Sequence, residues 1–239
     1  MARHTFFVTG TDTEVGKTAV TCGLLALAGN NGLRTLAMKP VASGCEDTPQ
    51  GLRNEDALAM QAVMTETLEY DLINPIAMAP AIAPHVAAQQ AGRTLSVSRL
   101  AGFCRGLMTR PGDLLLIEGA GGWRVPLNDR ETLAELPRTL DVPVILVVGL
   151  RLGCINQALL SAEAIQRDGL RLAGWVANRP GSDAMPYEDD TFDYLQSHMP
   201  APCLGRLPWV ENRHSVVEVA QSLASSLRLP PQQTDTKAG

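Results

Sequence analysis

Histidine, clustered cysteine and long apolar runs are all scarce in this chain of 239 residues, and each shortage removes a class of function. Of the four histidines, His4 and His214 stand near the chain ends, while His85 and His198 have no partner pattern, so no catalytic histidine is expected. The five cysteines, Cys22, Cys45, Cys104, Cys154 and Cys203, are scattered singly without C-x-x-C spacing. That pattern indicates neither a zinc site nor a disulfide framework, and it predicts reduced thiols. The longest apolar stretch, Val142 to Leu150, is too short to span a bilayer and contains Pro143. No secretory apolar core opens the chain, so a cytoplasmic location is the default expectation. A net charge of −5 gives no general attraction to nucleic acid or to an anionic membrane, so any anionic ligand must be held locally. There is no internal repeat. The stretch from Pro230 to Gly239 has too little apolar content to pack and is expected to be a disordered tail behind one domain spanning residues 1–229.

What the chain does have is enough apolar content for one sizeable core, at 45% hydrophobic and 19% charged residues. Apolar strand candidates at Thr5–Val8, Thr35–Met38, Leu114–Ile117, Val144–Val148, Leu172–Val176 and Pro202–Leu204 alternate with helix candidates. The helices are predicted at Lys17–Gly29, Glu55–Val63, Ser98–Met108, Leu133–Leu140, Asn156–Asp168, Tyr187–His198 and Ser215–Leu227. This alternation predicts an α/β fold of three layers, with a mostly parallel central sheet flanked by helices. In such a sheet ligands gather outside the carboxyl ends of the strands, where separate motifs converge in one cleft.

One motif makes the fold a P-loop NTPase type. Gly10-Thr11-Asp12-Thr13-Glu14-Val15-Gly16-Lys17-Thr18 directly follows the apolar run Phe6-Phe7-Val8, so a strand passes through a glycine-bounded loop into a helix. Backbone N–H groups of such a loop wrap phosphate oxygens, the helix N-terminus adds its dipole, the lysine reaches the outer phosphates, and the threonine hydroxyl suits Mg²⁺. Gly10 and Gly16 enclose five residues rather than the usual four, and Thr11 stands where the first glycine would fall. Thr18, Asp56 and Glu118 are the candidate metal ligands, a small set of hard oxygens that suits Mg²⁺ together with water and nucleotide phosphates. Taken singly, Asp56 also reads as an acid favoured by a helix dipole, Glu118 as a solvated strand end, and Lys39 as a solvated lysine.

Further along, Lys39-Pro40-Val41-Ala42-Ser43-Gly44, Gly51-Leu52-Arg53-Asn54-Glu55-Asp56-Ala57, Glu118-Gly119-Ala120-Gly121-Gly122-Trp123, Gly153-Cys154-Ile155-Asn156, Gly174-Trp175-Val176-Ala177-Asn178 and Pro208-Trp209 follow in order. Together with the phosphate loop, and over roughly Phe6 to Glu211, the chain resembles the dethiobiotin synthetases. The resemblance implies an ATP- and Mg²⁺-dependent ring closure in biotin synthesis, with CO₂ and 7,8-diaminopelargonic acid as substrates. It implies Lys17 and Lys39 as the catalytic cations, placed where carbamate and triphosphate repel one another. It also implies a nucleotide site of Glu14, Val15, Gly16, Lys17, Thr18, Ala19, Asp56, Glu118, Gly119, Ala120, Gly121, Asn178, Arg179, Pro208, Trp209 and Val210. Thr13 and Ser43 are implied to hold the diamine or its carbamate, and Gly153, Cys154, Ile155 and Asn156 to receive its carboxylate from the second subunit of a homodimer with shared active sites. Plain alternatives stand beside these roles: turn residues for Thr13 and Ser43, a helix cap for Asn156, and core packing for Trp209.

Two rival readings remain open. Ile82-Ala83 before Pro84-His85 replaces the hydroxyl residues that family members commonly carry there, which leaves room for a ligase acting on another small acid. A partitioning-type switch ATPase shares the fold class, but such proteins usually carry an additional lysine in the phosphate loop, and none lies between Gly10 and Gly16.

Overall fold

Continuous apolar runs need cover on both faces, and in the computed structural model, which describes residues 4–210 and 215–231, they become the inner strands of a parallel sheet. The strands are β1 (His4–Gly10), β2 (Thr35–Met38), β3 (Glu46–Thr48), β4 (Gly51–Arg53), β5 (Leu114–Glu118), β6 (Val144–Gly149), β7 (Leu172–Asn178) and β8 (Cys203–Leu207). The helices are α1 (Lys17–Asn30), α2 (Glu55–Val63), α3 (Tyr70–Ile73), α4 (Pro84–Gln90), α5 (Val97–Met108), α6 (Glu135–Leu140), α7 (Cys154–Arg167), α8 (Glu188–His198) and α9 (Val216–Ala224). The main sheet runs β2-β5-β1-β6-β7-β8, with every neighbouring pair parallel, while β3 and β4 form a separate antiparallel hairpin.

Chain direction decides the layers. The crossover from β1 to β2 runs one way across the sheet and all later crossovers run the other, so right-handed connections put α1 on one face and α5 to α8 on the opposite face. Helices α2 and α9 pack over α1, which explains why α1 is apolar nearly all round: Val20, Cys22, Leu24, Leu25 and Ala28 are all buried. A Cβ on Gly23 would come within 2.7 Å of Leu227 and 3.3 Å of Leu223, so the small residue permits the close approach of the α9 segment. The start of α9 is fixed by a reciprocal cap between Ser215 and Glu218.

The register of the sheet sets up the site. Met38 of β2 pairs with Ile117 of β5, and Val8 of β1 pairs with Glu118. The next residue after Met38 is Lys39, so Lys39 and Glu118 leave the sheet side by side at its carboxyl edge, next to the loop that follows Gly10.

The six predicted strands and seven predicted helices are all present, Thr35–Met38 and Glu55–Val63 with their predicted ends and the others with one or both ends shifted, and the main sheet, expected to be mostly parallel, is wholly parallel among the described residues. The β3–β4 hairpin, α3 and α4 were not anticipated; at three, three, four and seven residues they are too short for periodicity to register. Helix α7 begins at Cys154 rather than Asn156, because Gly153 at φ +92° turns the chain into the helix two residues earlier. Asn156 therefore lies inside the first turn and is not the cap. Of the predicted tail Pro230–Gly239, Pro230 is buried and Pro231 exposed, while residues 232–239, like His214, fall outside the described residues. Among the described residues no helix is long and apolar enough to cross a membrane.

Candidate functional site

Between β1 and α1 the phosphate loop turns sharply, with Glu14 at φ +57° and Gly16 at φ +87°. Gly16 has a second reason to be glycine, since a Cβ there would lie 2.1 Å from the Asn178 amide nitrogen. That amide, buried at the end of β7, donates to the Val15 carbonyl at 2.9 Å and pins the loop to the neighbouring strand. Val15 fills the space left by Gly10 and Gly149, where Cβ atoms would meet it at 2.6 and 2.9 Å. The Val15–Gly16 end of the loop is thus wedged against the sheet edge by packing.

Four side chains meet just beyond it. Lys39 Nζ lies 2.8 Å from Glu118 Oε1 and 2.8 Å from Asp56 Oδ2. Thr18 donates its hydroxyl to Glu118 Oε1 at 3.0 Å. Glu118 is completely buried and Lys39 is nearly so, which replaces the solvated readings of both residues with a desolvated ion cluster. Burial by itself disfavours the Lys39 ammonium, but Glu118 and then Asp56 outweigh it and hold its pKa above the ordinary lysine value. Burial likewise opposes ionisation of Asp56, and Lys39 overcomes it, leaving that carboxyl below the usual range. Lys17, also buried, is pulled below the ordinary lysine value chiefly by desolvation, with Glu118 opposing and Lys39 adding to the effect. Its Nζ lies 3.3 Å from the Asp12 carbonyl.

Several positioning residues carry no signal in the motifs. Thr21, one turn after Lys17 on α1, places its hydroxyl 2.8 Å from Glu118 Oε2 and 2.9 Å from the Lys17 carbonyl. A buried chain links the other two members: the Asn54 N–H donates to the Tyr70 hydroxyl at 2.7 Å, that hydroxyl donates to Asn74 Oδ1 at 3.1 Å, and Asn74 Nδ2 donates to the Lys39 carbonyl at 2.7 Å. Asn54 also caps α2 by accepting from the Ala57 N–H, so the helix carrying Asp56 and the strand end carrying Lys39 are tied through Tyr70. The Asn54-Glu55-Asp56-Ala57 capping pattern was the available sequence signal; the Tyr70 and Asn74 partners had none.

The remaining candidates distribute as follows. Gly119 donates to the Val8 carbonyl at 2.9 Å, and Gly121 at φ +62° would bring a Cβ 3.5 Å from the Thr13 hydroxyl, so the loop 119–122 runs beside Thr13, which stays exposed. Trp123 anchors that loop, with its ring edge-on to Phe7 and its indole N–H donating to Asp168 at 2.8 Å. Ala19 is half-buried on the outer side of α1, beside Thr18. Asn178 pairs with Leu207, which puts Pro208, Trp209 and Val210 beyond the neighbouring strand end, and Trp209 is 39% exposed rather than packed in the core. Arg179 is engaged elsewhere: it forks onto Glu188, which also takes Arg206. Ser43 lies on a stretch bonded to residues 76–80, half-buried and outside the ion cluster. In the α7 turn, the Cys154 N–H is taken by the Arg151 carbonyl at 2.9 Å, so the free backbone donors of the 153–156 segment narrow to those further into the turn.

A family model described as an AAA domain matches residues 4–215. An ATP-dependent dethiobiotin synthetase BioD of Marinobacter nauticus is 63% identical over 231 residues, covering 97% of this chain and 98% of its own length. The chain belongs to the dethiobiotin synthetase family. Synthetases of the same name from Cellvibrio japonicus and Pseudomonas aeruginosa are 58% and 57% identical over 208 residues, covering 87% and 86% of the chain and 90% of each relative. The synthetase fold is shared more widely. A ParA family ATPase of Chlorobium tepidum superposes with a TM-score of 0.57 at 14% identity, covering 95% of this chain and 100% of its own. The MinC:MinD cell division complex of Aquifex aeolicus gives 0.56 at 13%, covering 92% and 86%. At such identities the likeness is one of P-loop fold alone.

Proposed function

We propose that the chain is an ATP-dependent ligase that converts 7,8-diaminopelargonic acid and CO₂ to dethiobiotin, with release of ADP and phosphate. Membership in the synthetase family supports the overall reaction, and one observation supports its location: Lys39 held between Asp56 and Glu118 at 2.8 Å beside a phosphate loop. In this reading an amine of the diamine captures CO₂ as a carbamate, a carbamate oxygen attacks the γ-phosphate, and the second amine closes the cyclic urea by displacing phosphate. No side-chain nucleophile is needed. The protein's task is positioning and charge stabilisation, which matches a site built of lysine, threonine and backbone donors.

Lys17 would hold the outer phosphates and Lys39 the carbamate, each offsetting the repulsion between two anionic reactants. Thr13 and Ser43 would orient the diamine, and Asn178 with Pro208, Trp209 and Val210 would take the base. Thr18, Asp56 and Glu118 would hold Mg²⁺; a hydroxyl and two carboxylates within reach of one ammonium form a donor set that a hard cation accepts. The metal, when bound, would neutralise phosphate charge. The opening turn of α7, from Gly153 to Asn156, would receive the substrate carboxylate on backbone N–H groups, across the interface of a homodimer. The adjacent Leu152, 94% exposed, supports an interface there. A cytoplasmic location belongs to the same proposal.

The test is direct. Purified protein with ATP, Mg²⁺, bicarbonate and the diamine should yield dethiobiotin by mass spectrometry, in step with ADP. Steady ADP release with no dethiobiotin would assign the site to another acceptor.

A further inference from the structure

Asp12 stands inside the phosphate-loop motif without a part in the chemistry above, yet it is among the most connected residues of the loop. Its Oδ1 accepts the Thr13 N–H at 2.8 Å, and its backbone carbonyl receives Lys17 Nζ at 3.3 Å. Its Oδ2 faces out of the loop, pairing with the Arg151 guanidinium and lying 3.4 Å from Gln157 Nε2. Those two partners bracket the segment that opens α7. Arg151 accepts the Cys154 N–H through its own carbonyl at 2.9 Å, and the Gln157 N–H donates to the Gly153 carbonyl at 3.2 Å. Asp12 therefore joins Thr13, through its carboxylate, and Lys17, through its backbone carbonyl, to both ends of the 153–156 segment, which the same carboxylate holds on its other side. The ion pair is half-exposed, 42% for Arg151 and 47% for Asp12, so its Coulomb energy is largely screened and its significance is geometric. One buried polar atom of this seam, Gln157 Oε1, has no hydrogen-bond partner among the described residues, and neither has Thr11 Oγ1 on the residue before Asp12, which marks the seam as incompletely satisfied in its present arrangement.

We propose that Asp12, Arg151 and Gln157 form a latch through which occupancy of the phosphate loop orders the opening turn of α7. A loop that tightens around phosphate moves Asp12, and Asp12 cannot move without drawing on the two residues that frame the turn. Coupling of this kind needs two sites and a shared element that both bias, and the carboxylate is that element. The inference rests on the nucleotide reading of the loop, but not on the carboxylate reading of α7.

Hydrogen exchange read by mass spectrometry tests it with a non-hydrolysable ATP analogue, without diamine. In the wild type the analogue should slow exchange both in the peptide covering residues 13–19 and in the one covering 150–158, the latter by about threefold or more, a local change well within what such opening equilibria report. In Arg151→Met and in Gln157→Leu the response at 13–19 should persist, while that at 150–158 shrinks toward none. Two variants on different elements guard against one of them misfolding. A response at 150–158 that survives in both variants, or that is missing from the wild type while 13–19 responds, overturns the latch alone. Silence at 13–19 in the wild type overturns the nucleotide reading instead.

Discussion

Replacing Lys39 with methionine keeps most of the side-chain length and removes its charge, and the consequence for stability can be worked from the geometry. Asp56 and Glu118 share that ammonium at 2.8 Å each. Removing one partner of a buried ion pair costs about 3–5 kcal/mol, because the other charge stays buried and uncompensated. Glu118 is fully buried, whereas the Asp56 side chain is 33% exposed and partly relieved by water, so the lower end, about 3 kcal/mol, is the expectation. For a domain of this size that corresponds to a fall of about 6–12 °C in Tm. The pH dependence carries the sharper signature. With Lys39 present the Asp56 carboxyl sits below its ordinary value, so its ionisation stabilises the fold above about pH 4, and that contribution is lost as pH falls through the lowered value. Lys39, held above the ordinary lysine value, stays charged throughout the acid and neutral range. In the variant burial acts on Asp56 without its counter-ion and raises its pKa; ionised Asp56 then destabilises the fold at neutral pH, and protonation relieves it. Thermal unfolding of both proteins from pH 4 to 8 should show the gap in Tm widest near pH 7 and narrowing toward pH 4. Mg²⁺ without nucleotide should restore part of the loss if the two carboxylates are its ligands. A wild-type Tm at pH 7, or a gap independent of pH, would refute the balance of charge drawn here.

Lys17→Ala should lose turnover by ~100-fold or more while keeping its fold, since it removes a cation from a highly charged transition state, and steady-state kinetics with a melting curve checks both halves. Asp56→Asn and Glu118→Gln should each raise the Mg²⁺ concentration needed for half-maximal rate, because each loses a hard anionic oxygen; unchanged metal titrations in both would remove the proposed ligand set. If the active sites are shared, a Lys17→Ala chain and an Ile155→Pro chain, each inactive alone, should regain activity when mixed and allowed to exchange, with up to about half of the heterodimer's sites receiving two sound halves. Heterodimers confirmed by differential tags that stay inactive would place the carboxylate seat within one subunit.

The parts of the site that were legible from the chain are those where a single segment carries its own physics. A strand, a glycine-bounded loop and a helix start in Gly10 to Thr18 predict the phosphate cradle locally, and the observed β1, loop and α1 follow it. The apolar runs Leu114–Ile117 and Val144–Val148 read as buried parallel strands for the same reason, and every residue of β5 and β6 is buried. The roles of Lys39 and Glu118 are of another kind. Each, seen alone at a strand end, is as well read as a solvated charge, and only the pairing of Met38 with Ile117 puts them side by side. Register is a property of two strands 79 residues apart, and neither sequence segment contains it.

The same reasoning explains why the supporting cast escaped notice. Tyr70 joins Asn54 to Asn74, and through them the cap of α2 to the carbonyl of Lys39, but its helix is four residues long and its partners lie 16 residues before it and 4 after. No periodicity marks such a residue, and no motif isolates it. Arg179 gives the converse case. Directly after Asn178 at a strand end, it reads from sequence as part of the nucleotide site, yet its planar guanidinium finds Glu188 nine residues on, in a fork of bonds at 3.1 and 2.7 Å. Glu188 opens α8, so the pair fastens the end of β7 to the helix that follows it. A strand-end arginine faces a choice between a ligand and a nearby carboxylate, and a bidentate partner within the same crossover competes strongly for it. The strand end that carries Asn178 is thus fastened to α8 by a side chain that the sequence alone offers equally to a ligand.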